Sequence, residues 1–127
     1  MEQKTKFKDI QLRQNLEQIT QELKKIYGDK LIKVILFGSY ATEKYDLESD
    51  VDIAVLVDLD EDQLKKYEDS LDAIATEFGY KTLKVFSIID FPFRKFEKLK
   101  EILPFYKSIE EKGIVLYGWH NQISFSL

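Results

Sequence analysis

Cysteine is absent from the sequence, and histidine occurs once, at His120. A chain without cysteine has no disulfide framework and no thiolate-bound metal. The sequence also contains no secretory signal and no apolar run long enough to cross a bilayer, so we expect a cytoplasmic protein without a membrane partner. His120 lies close to the C-terminus with no candidate partner beside it, which indicates a surface residue rather than a catalytic one.

Runs of basic residues are missing as well. Lysine and arginine total 19 against 23 acidic residues, so the net charge is −4. This balance does not favour direct binding to nucleic acid, because phosphate backbones attract clustered lysine and arginine. The hydrophobic content of 44% is high enough for a folded chain rather than a disordered one.

Neither an internal repeat nor a linker divides the 127 residues, a length that suits one domain with one core. We predict a single domain over 1–127, with an N-terminal helix over 1–28, a core over 30–118 and a tail over 119–127. The helix follows from apolar residues at helical spacing, and Gly28 predicts its end.

Two aliphatic runs stand near the centre of the chain, over residues 31–37 and 53–57. Their β-branched, nearly continuous apolar composition predicts strands with both faces covered. The first run ends at a Gly-Ser pair, and an Asp-Val-Asp segment leads into the second, so the second strand is predicted over 50–57. We expect the chemistry of this chain where the first strand ends and the second begins.

Asp50 and Asp52 are two residues apart, so a strand presents both carboxylates on one face. Two like charges this close raise each other's pKa. A divalent cation relieves that conflict, and Mg²⁺ in particular binds through one or two carboxylates and leaves positions for substrate phosphates. The alternative, a solvated acidic strand start, explains Asp50 but not an aspartate inside an apolar strand.

Gly38 and Ser39 suit a phosphate-binding turn. Glycine after a strand allows a tight turn and the close approach of another backbone. If Ser39 opens a short helix, free N–H groups face any phosphate placed there, and its hydroxyl adds a donor. One segment therefore predicts a phosphate cradle and the next a metal site.

The rest of the chain alternates helices and strands. The apolar spacing predicts a helix over 64–78 that Gly79 ends, a strand over 82–89, an amphipathic stretch over 93–113 that Pro104 divides, and a last strand over 114–117. This order predicts an α/β (α+β) fold, a small mixed sheet with helices packed on it.

Three other groups of side chains have two interpretations each. The acidic cluster 58–62 is either a metal site or, as we favour, the first turn of a helix. Tyr40 and Tyr45 either stack on a base or, as we favour, pack locally. The aromatic residues within 91–106 are either core or an exposed protein interface.

The segment GSYATEKYDLESDVD resembles the signature of minimal nucleotidyltransferases in the DNA polymerase beta-like superfamily: Gly-Ser, ten residues, then Asp-x-Asp between two apolar strands. Ala41 and Ser49 match common choices in that family. The closing segment EKGIVLYG, residues 111–118, is similar to the family's last strand, so the resemblance spans most of the chain.

The resemblance implies a polymerase beta-like fold, ATP or another nucleoside triphosphate as substrate, and Mg²⁺ as cofactor. It implies that Asp50 and Asp52 are catalytic metal ligands. Gly38, Ser39 and Ser49 would then bind the nucleotide.

The sequence departs from the family at two places. Thr42 and Glu43 stand where arginine and glycine are common, which removes a basic group near the phosphates. Matching the strand over 82–89 to the family pattern places Lys84 where a third catalytic carboxylate is expected. Lys84 would then neutralise the two aspartates, donate to the triphosphate, or extend from a strand end to water.

The resemblance to minimal nucleotidyltransferases implies the antitoxin of a HEPN toxin, which transfers AMP from ATP to a tyrosine of that toxin. The alternative is a catalytically weak protein of the same fold that neutralises a partner by binding it. A nucleotide-binding regulatory domain is a third interpretation. The oligomeric state stays open, with an oligomer among the alternatives.

Overall fold

The computed structural model describes residues 9–42, 44–46 and 48–118. The predicted tail 119–127, with His120, lies outside the described residues. Five helices are α1 (Ile10–Tyr27), α2 (Glu61–Leu64), α3 (Glu68–Thr82), α4 (Phe93–Leu99) and α5 (Pro104–Lys112), and four strands are β1 (Leu31–Phe37), β2 (Val51–Val57), β3 (Phe86–Pro92) and β4 (Ile114–Tyr117). Short 3-10 turns cover Gly28–Lys30, Gly38–Ala41 and Lys65–Tyr67.

The strands form one mixed sheet in the order β3-β2-β1-β4. β1 is antiparallel to both β2 and β4, whereas β2 and β3 are parallel. A parallel pair needs a crossover connection, which α2 and α3 supply. The predicted fold, a small mixed sheet with helices packed on it, is confirmed.

Both faces of the central strands are covered, as the aliphatic runs predicted. One face packs against α1 and α3 in the larger core, which includes Leu16, Ile53 and Phe78. The other face packs against α4 and α5 in a smaller core: Ile35, Ala54, Leu56, Phe96 and Ile109. On the face that α4 and α5 cover, a polar side chain is accessible only where the strands extend past these two helices.

Helix α1 begins and ends at local signals in the sequence. The Asp9 carboxylate accepts a hydrogen bond of 2.9 Å from the Leu12 backbone N–H, a typical N-cap. Gly28 follows the last helical residue with φ of 61°, a conformation that glycine adopts readily. The predicted helix is confirmed from residue 10 to Tyr27, while residues 1–8 lie outside the described part.

The acidic cluster 58–62 caps a helix. The Asp60 carboxylate accepts from the Gln63 backbone N–H at 2.8 Å, and the Gln63 side chain accepts from the Asp60 N–H at 2.9 Å. This reciprocal capping box begins α2. The capping interpretation of the cluster is therefore confirmed.

The junction between α3 and β3 was predicted wrongly. Helix α3 continues past Gly79 to Thr82, and Leu83 ends it in the left-handed conformation, with φ of 60° and its N–H donating to the Gly79 carbonyl. A glycine inside a helix costs only about 1 kcal/mol, so it need not end one. The strand over 82–89 is accordingly found at Phe86–Pro92 instead.

The aromatic residues within 91–106 divide between the two interpretations. Phe96 is fully buried, and Phe91 and Tyr106 pack around it with ring centroids 5.1 to 6.4 Å apart. Phe105, by contrast, remains 49% exposed. Pro104 occupies the first turn of α5, where its missing N–H costs nothing, as predicted.

A buried polar contact joins α1 to β3. The Tyr27 hydroxyl donates a 2.7 Å hydrogen bond to the Asp90 carboxylate on the larger-core face of the sheet. Burial raises the pKa of Asp90, and the bond from Tyr27 opposes that rise. Asp90 therefore serves packing, on the sheet face opposite the paired aspartates.

Tyr27→Phe is expected to reduce the free energy of unfolding by about 1–3 kcal/mol at neutral pH, because the half-buried Asp90 carboxylate loses its donor. The hydrogen bond lowers the folded-state pKa of Asp90, so its contribution exists while Asp90 is ionised and is lost as the pH falls through that pKa. Urea unfolding of both proteins at pH 7 and at pH 4 should show a smaller difference in acid. An equal difference at both values would contradict this role.

Candidate active site

The antiparallel pairing of β1 and β2 brings the end of one strand beside the start of the next. Phe37, the last residue of β1, pairs with Asp52, the second residue of β2. Gly38 and Ser39 follow directly in the 3-10 turn, and Asp50 precedes β2. The structure therefore places the Gly-Ser turn and the two aspartates at one edge of the sheet.

Gly38 makes that approach close. Its φ is 74°, and a Cβ atom built on it would overlap the Asp52 Oδ2 atom. Only glycine satisfies both the backbone conformation and the contact. The glycine that the sequence analysis placed in the phosphate cradle thus also makes room for the carboxylate.

Asp50 and Asp52 differ in environment. Asp50 is exposed, whereas Asp52 is half-buried. Burial raises the pKa of Asp52, and the neighbouring Asp50 carboxylate raises it further. The raised pKa of Asp52 means that its ionised form is disfavoured, and carboxylate oxygens in such a place are ligands of the kind that Mg²⁺ takes. Among the described residues, no group of three or more His, Cys, Asp or Glu side chains could hold a metal.

The parallel pairing of β2 and β3 decides which residue lies beside the aspartates. Asp52 pairs with Ser87, and the Val51 backbone N–H donates to the Val85 carbonyl at 2.8 Å. Side chains paired across adjacent strands share a face, so Ser87 is the direct neighbour of Asp52 on β3. The sequence analysis included Ser87 in the strand over 82–89 but assigned Lys84, three residues earlier, to the position beside the aspartates.

Lys84 was predicted on the strand face beside the aspartates, and that placement is wrong. Lys84 precedes β3, and its Nζ donates a 3.1 Å hydrogen bond to the Tyr40 hydroxyl and lies 5.5 Å from the Tyr40 ring centroid. An ammonium paired with Asp52 would lower the pKa of that carboxyl, yet the pKa is raised. Lys84 therefore does not neutralise the pair.

The loop between the Gly-Ser turn and the aspartates is held by its own side chains. Tyr40 is buried and stacks on Tyr45, with centroids 4.3 Å apart and an angle of 17° between the rings. Local packing of both tyrosines is thus confirmed. Ser49, predicted to bind nucleotide, has its hydroxyl 3.0 Å from the Asp46 N–H and 3.3 Å from the Asp46 carboxylate. Its hydroxyl closes the turn that leads into Asp50.

Thr42, which stands where arginine is common in the resembled family, has a structural role. The Thr42 hydroxyl donates to the Ser39 carbonyl at 3.0 Å, and its backbone N–H donates to the same oxygen at 3.1 Å. These bonds close the Gly-Ser turn, in which Ser39 is exposed. Glu43 lies outside the described residues.

Ser87→Asp is expected to raise Mg²⁺ affinity about tenfold or more, because it adds a third carboxylate beside Asp52. Lys84→Asp is the comparison, since it puts a carboxylate three residues away and off the strand, and its larger change in charge (−2 against −1) would favour it if charge alone mattered. Isothermal titration of Mg²⁺ into each variant measures the difference. A larger gain from Lys84→Asp than from Ser87→Asp would contradict the register argument.

The fold and the site together are a mixed four-stranded sheet with two aspartates beside a Gly-Ser turn at one edge. The nucleotidyltransferase domain family matches residues 16–117, which include all four strands and the site. The chain therefore belongs to the nucleotidyltransferase domain family.

Two curated proteins of Methanocaldococcus jannaschii are similar in sequence. The chain is 50% identical over 42 residues to "Putative protein adenylyltransferase MJ0141" and 43% identical over 47 residues to "Putative protein adenylyltransferase MJ0604". These alignments cover 33% and 37% of this chain. They span about half the length of the relatives, 42% and 47%.

Solved structures show the same fold. A toxin–antitoxin complex with AMP-PNP matches with a TM-score of 0.53 and 21% identity, over 85% of this chain and 77% of that chain. A mutant of the MntA–HpeT toxin–antitoxin matches with a TM-score of 0.53 and 20% identity, over the same shares. At these identities the likeness shows the fold alone.

Proposed function

We propose that this protein is an Mg²⁺-dependent adenylyltransferase that moves AMP from ATP to a protein acceptor. The observation that carries the proposal is the pairing of Asp50 and Asp52 against the Gly38 turn, with the pKa of Asp52 raised by burial and by its neighbour. Membership of the nucleotidyltransferase family supports the reaction class. The names of the Methanocaldococcus jannaschii relatives support a protein as acceptor.

Each residue at the sheet edge has a role in this reaction. Asp50 and Asp52 would hold Mg²⁺, which when bound neutralises phosphate charge and orients the triphosphate. The Gly38 backbone allows the triphosphate to approach the turn, and the exposed Ser39 hydroxyl donates to a phosphate oxygen. Ser49 acts indirectly, by holding the turn before Asp50. The acceptor hydroxyl loses its proton to water, its oxygen bonds to the α-phosphorus, and pyrophosphate leaves with the electrons of the broken P–O bond.

The acceptor hydroxyl must lose its proton during transfer, and the ease of that loss affects which side chain is modified. Ser87, the neighbour of Asp52, is a neutral hydroxyl and cannot accept a proton at neutral pH. An acceptor that ionises more readily is therefore favoured, and the tyrosine hydroxyl, with a pKa near 10, does so far more readily than serine or threonine. This supports a tyrosine as the acceptor.

The partner we propose is a HEPN toxin whose tyrosine receives AMP, and the protein would then act as its antitoxin in the cytoplasm. The fold of this chain is shared with the antitoxin-containing complexes described above. None of the described helices is long and apolar enough to cross a membrane.

The test uses ATP labelled either at the α- or at the γ-phosphate, with Mg²⁺ and a purified HEPN partner protein. Transfer of the α-label to a partner tyrosine, with release of pyrophosphate, is the expected result. Chelation of Mg²⁺ should stop it. Transfer of the γ-label instead would show phosphorylation and overturn the proposal.

A second candidate, a binding module without transfer, is favoured by Ser87 in place of a carboxylate beside Asp52. Such a protein would silence its partner by covering it. The two candidates differ in one measurement: partner activity recovers on dissociation of an occluded complex but not after covalent AMP transfer. Mass spectrometry of the separated partner reads out the difference.

A further inference from the structure

Phe105 stands out among the aromatic residues close to the proposed active site. It lies in the first turn of α5 and remains 49% exposed, although α5 packs on the sheet. A half-exposed phenylalanine in a packed helix leaves ring surface available to another molecule.

A ring contact links Phe105 to the residue that pairs with Asp52. The Phe105 centroid is 5.7 Å from the centroid of Phe37, with an angle of 82° between the rings. Phe37 is the strand partner of Asp52 and shares its face of the sheet. Phe105 is therefore one side chain removed from the carboxylate, on the face where the triphosphate is proposed to bind.

The other ring contacts of Phe105 leave it without a stacked partner among the described residues. The Phe105 ring makes an angle of 56° with the Phe91 ring and of 49° with the Tyr106 ring, so neither pair is parallel. Tyr40 and Tyr45, the other aromatic pair near the site, are stacked on each other at 17°. Phe105 can therefore receive a flat ring without first breaking an existing stack, whereas Tyr40 is buried against Tyr45 and the Lys84 ammonium.

We propose that Phe105 contacts the nucleoside of the bound triphosphate and provides an aromatic surface for its base. The inference rests on the proposed function, because it assigns a position to the base of that substrate. Aromatic side chains stack on any base, so Phe105 would contribute affinity without choosing among nucleotides.

Phe105→Ala is expected to weaken Mg²⁺-dependent binding of AMP-PNP by about 5- to 100-fold. Binding of inorganic tripolyphosphate, which has no nucleoside, should be unchanged. Phe105→Tyr keeps the ring and should restore binding of AMP-PNP. Ile102→Ala is the matched control, since Ile102 lies just before α5 and is 70% exposed. Titration calorimetry with both probes measures all four proteins.

Phe105→Leu provides a second variant, because leucine keeps apolar volume in the core but has no π surface. Loss of AMP-PNP affinity in this variant, with tripolyphosphate binding retained, supports the inference. Equal loss of affinity for AMP-PNP and for tripolyphosphate would show that Phe105 only supports Phe37. Unchanged affinity for AMP-PNP would show that the base lies elsewhere. Either result overturns this inference and leaves the proposed function standing. No binding of AMP-PNP by the unmodified protein would overturn the proposed function as well.

Discussion

Asp52→Asn is expected to reduce AMP transfer by about a thousandfold or more. The substitution removes one of two carboxylates that hold the cation, and a bound cation contributes several kcal/mol of charge stabilisation in the transition state. Each 1.36 kcal/mol corresponds to about tenfold in rate. The assay is transfer of α-labelled AMP to the partner under saturating Mg²⁺. Asp58→Asn at the opposite end of β2 is the control, because Asp58 pairs with exposed Arg94 and lies away from the site.

The same substitution should not reduce stability. The folded state raises the pKa of Asp52 above the value of 3.8 for a free carboxyl, so stability is lost as the pH rises from that value through the raised pKa. Asparagine carries no charge and avoids this loss. We therefore expect Asp52→Asn to unfold at the same or higher denaturant concentration at pH 7, with the difference disappearing in strong acid. Loss of both activity and stability would mean that Asp52 is structural.

Gly38→Ala is expected to abolish detectable binding of AMP-PNP with Mg²⁺. A side chain at φ of 74° is strained, and the added Cβ would displace the Asp52 carboxylate. The strain costs about 1–3 kcal/mol, and the overlap adds to it. Calorimetry with AMP-PNP reads out the binding, and urea unfolding reads out the cost to the fold.

Gly28→Ala separates the two effects. Gly28 also has a positive φ, 61°, but a Cβ there would meet no heavy atom within 4 Å. This variant should lose stability by about 1–3 kcal/mol while binding AMP-PNP normally. If Gly28→Ala and Gly38→Ala weaken binding alike, backbone strain rather than contact with Asp52 explains the result.

The central motif could be predicted from sequence because its signals are local. The aliphatic runs predicted β1 at its observed bounds and β2 within one residue. The pairing of Phe37 with Asp52 puts Gly38 beside Asp52, so the end of β1 and the start of β2 meet at one sheet edge. The acidic cluster 58–62 was placed at the start of a helix for the same reason, and Asp60 caps α2 there.

The start of β3 could not be predicted because its cause is not visible in the local pattern. Leu83, an aliphatic residue, ends α3 in the left-handed conformation that favours glycine. An apolar residue at that place suggested a strand, and the strand was therefore shifted. Lys84 was consequently predicted beside the aspartates, whereas the register places Ser87 there.

The sequence by itself determined the mixed α/β class, the two central strands, the turn at Gly38 and the paired carboxylates, because each depends on residues close together along the chain. The tertiary structure alone decided which side chains surround that pair. Ser87 reaches Asp52 through the pairing of β2 with β3, and Phe105 reaches Phe37 through the packing of α5 on β1. Both contacts join distant segments, and their registers depend on packing of the whole domain rather than on local propensity.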